Sequence, residues 1–217
     1  MTKTVIAYTD YTSPYAFLAK NPTYGLFDDF RAEIDWRPYT LDIPSYLGSA
    51  AVDTDGNVLH AERNAHQWRR VKYSYMDCRR RAERLGLVVR GPRHIFDSTV
   101  AHVGMLYAQR KRVFKEYHDA VFERFWKREL DIEDTQVVTN VLSEVGADVN
   151  GFGAFLAGEG PAELEHIMED AHDRGVFGVP SFIVDGQLYW GAENLPLVRE
   201  HLGSGCFSAF SFPGGSL

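Results

Sequence analysis

The sequence lacks a paired thiol. Its two cysteines, Cys78 and Cys206, lie far apart and outside any C-x-x-C. Thiol–disulfide exchange needs an attacking thiol and a resolving partner within reach, so disulfide chemistry by the protein's own cysteines is excluded. Cations are also scarce. Lys and Arg number 23 against 30 Asp and Glu, a net charge of −7, which argues against a nucleic-acid partner. No run approaches the roughly 18 apolar residues that a bilayer span needs. Met1-Thr-Lys-Thr-Val-Ile6 leads directly into a strand, without the pattern of a signal peptide. A cytoplasmic protein with no membrane partner is the expectation. The eight histidines show no metal-ligand spacing, so no metal is expected. Neither G-x-G-x-x-G nor a Walker lysine occurs, so nucleotide binding has no motif.

What is present is an ordinary globular composition, 217 residues with 45% hydrophobic and 24% charged. Such a chain can bury a sizeable core, as one domain carrying an insertion. Its organising stretch runs from Arg174 to Asn194. Val179-Pro180 precedes Phe182-Ile-Val184, then Asp185-Gly186, then Gln187-Leu-Tyr-Trp190. Asp-Gly between two strand-forming runs predicts a hairpin, because a type I′ turn needs positive φ at both central residues. A cis Pro180 at the strand start would turn the Val179 N–H and carbonyl outward, able to pair with a peptide-like ligand; the alternative is an ordinary turn into a buried hairpin.

At the other end, Lys3–Tyr8 predicts a buried strand, followed by Asp10-Tyr-Thr-Ser-Pro-Tyr-Ala-Phe-Leu-Ala19. Thr12 or Ser13 suits an N-cap and Pro14 the first helical position. Such a start places the Ser13 hydroxyl among unpaired N–H groups where an anion is favoured, although a plain cap reads the same way. The helix is predicted over 14–30, with a kink at Asn21-Pro22. Residues 32–37 alternate as a second, parallel strand, and 38–56 read as an irregular loop over the site. From 61 to 174 the chain is predicted helical, with segments at 67–85, 98–109, 113–127, 135–145, 151–157 and 162–173 and one possible strand at Leu87-Val-Val89. The arginines of 67–85 suggest a solvated helix face or a receiver for carboxylates. Ser98 and Asp134 or Thr135 are candidate caps. His102 and His118 read as core-edge residues rather than catalysts. A closing helix is expected from Glu193 to Leu202, then a tail rich in Gly, Ser and Phe.

Together, the strand into Ser13-Pro14-Tyr15 and the distant Gly178-Val-Pro180 before a hairpin resemble the thioredoxin superfamily. With Trp190-Gly-Ala-Glu-Asn194, and with Trp126 followed by Asp131-Ile132, the match is to 2-hydroxychromene-2-carboxylate isomerases and kappa-class glutathione transferases, in the DsbA-like branch. The resemblance implies an α/β, thioredoxin-like fold (β-α-β … β-β-α) with a large all-helical insertion. Residues 1–60 and 175–203 would form the thioredoxin-like part, 61–174 the insertion and 204–217 a C-terminal tail. It implies glutathione as cofactor and Ser13 as the catalytic residue. Val179 and cis-Pro180 would hold the cysteinyl part and Glu193 and Asn194 the γ-glutamyl end. Tyr15 and Trp126 would face a small aromatic substrate. A homodimer is the expected assembly. Two departures stand out: Ala192-Glu193 replaces the family's Ser-Asp or Asn-Asp, and no N/K-P-P stretch occurs near Asn57. The implied activity is glutathione-dependent cis–trans isomerisation of an unsaturated aromatic carboxylate. A kappa-type transferase, or a binding module that has lost its cofactor, are the alternatives.

Overall fold

The computed structural model describes residues 2–203; the Phe-rich tail and Cys206 lie outside them. Strand β1 (Thr4–Thr9) is the hub of a four-stranded sheet of order β2-β1-β5-β6. It pairs parallel with β2 (Glu33–Pro38) and antiparallel with β5 (Ser181–Val184), so the two ends of the chain meet across it. β5 is buried along its whole length, as its Phe182-Ile-Val184 run requires, whereas β6 (Gln187–Trp190) is a half-exposed edge. Asp185 and Gly186 join them with φ of 49° and 79°, the left-handed pair that the Asp-Gly signature demands.

Helix α1 (Pro14–Phe30) continues through Pro22 as a single element. Thr23 donates its hydroxyl to the Ala19 carbonyl there. Residues 38–56 are also more regular than their composition suggests. They hold a one-turn helix α2 (Ile43–Leu47) and β3 (Ala50–Val52), which pairs with β4 (Val58–Ala61). Val52 N–H donates to the Arg93 carbonyl, so a contact distant in sequence orders this hairpin. Leu87-Val-Val89 forms no strand.

Between β4 and β5 lie α3 (Ala65–Arg84), α4 (Thr99–Arg110), α5 (Phe114–Lys127), α6 (Thr135–Glu144), α7 (Phe152–Ala157) and α8 (Glu159–Asp173). Asp134 caps α6 through bonds from Gln136 and Val137 N–H. Helix α9 (Leu195–Gly203) packs back on α1 and β5. Phe17 of α1 stacks on Phe122 and Trp126 of α5, at 5.5 and 6.4 Å between centroids, and fuses the helical segment to the sheet's core.

Two histidines are sealed into this junction. His118 meets the Tyr11 hydroxyl at 3.1 Å and His102 meets the Thr40 hydroxyl at 2.9 Å. Burial, and for His118 the charge of Lys20 as well, holds both below the ordinary imidazole value. They are therefore neutral when folded, and the unfolded chain takes up more protons. Stability is complete above about pH 6.5 and falls below it, by up to roughly 1.4 kcal/mol per pH unit for each histidine. Urea unfolding at pH 7 and 5.5 should show the loss, and His118→Asn should reduce the slope. An unaltered slope would mean that the His118 ring titrates normally in the fold.

Candidate active site

The β1–α1 turn and the loop before β5 come together at Ser13. Its backbone is extended (φ −91°, ψ 113°), and its hydroxyl oxygen accepts from Ala16 N–H at 3.2 Å, as an N-cap should. The same hydroxyl donates to the Val179 carbonyl at 3.5 Å, a long bond. The Val179–Pro180 peptide is cis. Around it the loop is pinned: Gly191 N–H bonds the Pro180 carbonyl at 2.8 Å, and Ser181 Oγ donates to the Gly178 carbonyl at 2.6 Å. A side chain at Gly178 would press on the Trp190 indole, which itself packs on Phe177. Among the described residues the backbone N–H groups of Tyr15 and Val179 make no hydrogen bond, and those of Phe177 and Gly178 make none either.

Glu193 and Asn194 lie in a 3-10 turn, Ala192–Asn194, between β6 and α9. The exposed Glu193 carboxylate folds back over Gly191, whose φ of 98° calls for glycine. The Asn194 amide donates to the Trp190 carbonyl at 2.6 Å and so braces the turn. Tyr15 is half-buried and reaches α3, where its hydroxyl donates to Asp77 Oδ2 at 3.3 Å beside the buried Cys78. Burial and Cys78 push its pKa up. Trp126, expected to face substrate, is 0% exposed and enclosed by Phe17, Tyr75 and Phe125. That expectation is corrected: Trp126 presents no surface to a ligand and supports α1 from behind.

The reading of single residues missed Asp10. It is 0% exposed, yet its carboxylate accepts from Thr12 N–H and Oγ1 (both 2.8 Å), Ser98 Oγ (2.6 Å) and Leu41 N–H (2.8 Å). Four donors offset the desolvation of a buried charge. They tie the turn before Ser13 to α4 and to the stretch after β2. Ser98, expected to cap α4, makes no side-chain cap bond because its hydroxyl is committed to Asp10. The local signal was Asp10-x-Thr12, the spacing of an Asx turn.

A family model described as a DSBA-like thioredoxin domain matches residues 4–203. The chain belongs to that family. Among curated relatives, this DSBA-like chain is 28% identical over 205 residues to a 2-hydroxychromene-2-carboxylate isomerase of Sphingobium xenophagum, covering 93% of this chain and 99% of the relative. It is 24% identical over 204 residues to the same-named protein of Pseudomonas putida, covering 92% and 94%. Among solved structures, a 2-hydroxychromene-2-carboxylate isomerase superposes with a TM-score of 0.72 at 21% identity, over 93% of this chain and 95% of the other. A probable DsbA oxidoreductase from Streptomyces coelicolor superposes at 0.74 with 16% identity, over 97% and 94%. At such identities the structural likeness carries the fold, with its helices inserted between β4 and β5.

Proposed function

We propose that this chain is a glutathione-dependent isomerase of an unsaturated aromatic carboxylate. The observation that carries the reading is the Ser13 hydroxyl at the start of α1, facing Val179 beside cis-Pro180, with two unpaired N–H groups next to it. The residues fit a peptide-like thiol. The Val179 N–H is free to pair with a cysteinyl backbone in the manner of an added strand. Glu193 is exposed and in no ion pair with the described residues, so it can receive an amine. Loss of a polar side chain at 192 leaves that end to Glu193 and Asn194.

Ser13 would turn its hydroxyl from the long bond to Val179 toward sulfur, and so favour a thiolate over a thiol. The Tyr15 N–H and the helix dipole act in the same sense. Asp10 holds the turn that aims Ser13. The chemistry that glutathione supplies when bound is reversible addition of its thiolate to a conjugated double bond, rotation about the resulting single bond, and expulsion of the same thiolate. No atom is gained or lost overall.

The test is spectral. With 2-hydroxychromene-2-carboxylate, a change should appear that requires glutathione and leaves its concentration unaltered at the end. No change under saturating glutathione would sink the isomerase reading. Stoichiometric consumption of glutathione with an electrophilic aryl halide would point to a kappa-type transferase in its place.

A further inference from the structure

A cavity of about 370 Å³ opens between the 92–96 loop and the end of α5. It shares no lining residue with Ser13, Val179, Pro180 or Glu193. Its apolar wall is Phe96 edge-on to Phe125, with centroids 5.3 Å apart, together with Leu130. Its cationic rim is Arg93 and Arg128.

The arginines here are not neutralised in the fold. Arg128 donates to the Gly91 carbonyl at 2.7 Å, and Arg79 and Arg90 reach the Val89 and Lys127 carbonyls at 3.4 Å. Among the described residues none of these three, nor Arg93, is ion-paired with a carboxylate. Burial and the charges of Arg93, Arg79 and Arg90 draw Arg128 below the ordinary guanidinium value. Glu129 and Asp131 also line the cavity. These two acids stand beside the cavity's own two arginines, with Arg79 and Arg90 adding positive charge near Arg128 from outside the lining, and Asp131 already accepts from Glu133 N–H at 3.0 Å. His94 stacks on Phe96 and faces Glu133 at 3.5 Å, so that acid is directed at the imidazole.

We propose that this cavity is a second binding site, for an aromatic carboxylate. A flat ring fits against Phe96 and Phe125, and a carboxylate matches the two-pronged donors of Arg93 and Arg128. The volume is that of a small-molecule pocket. The inference does not depend on glutathione.

The probe is 2-naphthoate, followed by its own fluorescence on the full chain. Saturable binding is expected, weakened by added salt. Arg93→Gln removes a guanidinium that makes no side-chain hydrogen bond to a described residue, and should weaken binding about tenfold or more. Arg93→Lys, which keeps the charge but loses the fork, should fall between Arg93→Gln and wild type, and neutral 2-naphthamide should bind at least about tenfold more weakly. Ser13→Ala should bind 2-naphthoate as wild type does. The proposal is overturned by any of three results: no binding up to millimolar 2-naphthoate, equal affinity in Arg93→Gln or for the amide, or loss of binding in Ser13→Ala. The last would move the ligand to the Ser13 site.

Discussion

Replacing Ser13 with alanine is expected to raise the pKa of protein-bound glutathione by about one to two units. A hydrogen bond to a charged group contributes roughly 1.5–3 kcal/mol, and about 1.4 kcal/mol is one pKa unit. Ser13 is 5% exposed, and its hydroxyl is bonded only to Ala16 N–H and, weakly, to Val179. It can change acceptor without breaking a strong bond. Thiolate absorbance in the ultraviolet, followed against pH in both proteins, measures the shift. The variant also loses its N-cap, which costs about 1 kcal/mol of stability, but capping alone would leave the bound thiol's pKa unmoved. Ser13→Cys is the companion. With Ala16 three residues on, no resolving thiol is available, so mild oxidation should add one glutathione to the intact mass. Absence of the adduct with ample glutathione disulfide would show that residue 13 does not face the sulfur.

Asp10→Ala should be among the most destabilising single changes outside the apolar core. It strips a common acceptor from two backbone N–H groups and two hydroxyls. The hydroxyls can turn elsewhere, but the N–H groups of Thr12 and Leu41 cannot. Each unsatisfied group costs about 1–3 kcal/mol, so a loss of about 2–6 kcal/mol is expected. For a chain of this size each kcal/mol lowers Tm by roughly 2–4 °C. Asp10→Asn keeps the oxygen that takes three of the bonds but sets an amide donor against the Leu41 N–H, and should lie between. If thermal unfolding of Asp10→Ala matched wild type, the carboxylate would not organise the turn before Ser13.

Much of the frame was legible because its signals are local. Ser13-Pro14 announces a helix start, Asp185-Gly186 a type I′ turn, and the strand β1 its own burial. What escaped depended on distant partners. The β3–β4 hairpin is fastened through Arg93, some forty residues away in sequence, so 38–56 read as irregular. Ser98 has the residue type of a cap, and only the fold reveals that Asp10 competes for its hydroxyl. Trp126 illustrates the same limit. A tryptophan on an apolar helix face reads alike whether it lines a pocket or fills a core, and Phe17 decides for the core. The arginines of α3 looked like a solvated face, and Arg79 joins a cluster only because Arg90, Arg93 and Arg128 are brought beside it.

Every catalytic role assigned to Ser13, Val179 and Glu193 requires a complex with glutathione, so calorimetric titration of the wild-type chain with reduced glutathione is the most direct test. A saturable heat with one glutathione per chain is predicted, weakened by Glu193→Gln. No heat up to millimolar glutathione would contradict it, and would leave the Ser13–Pro180 site as a thioredoxin-like binding surface without its cofactor.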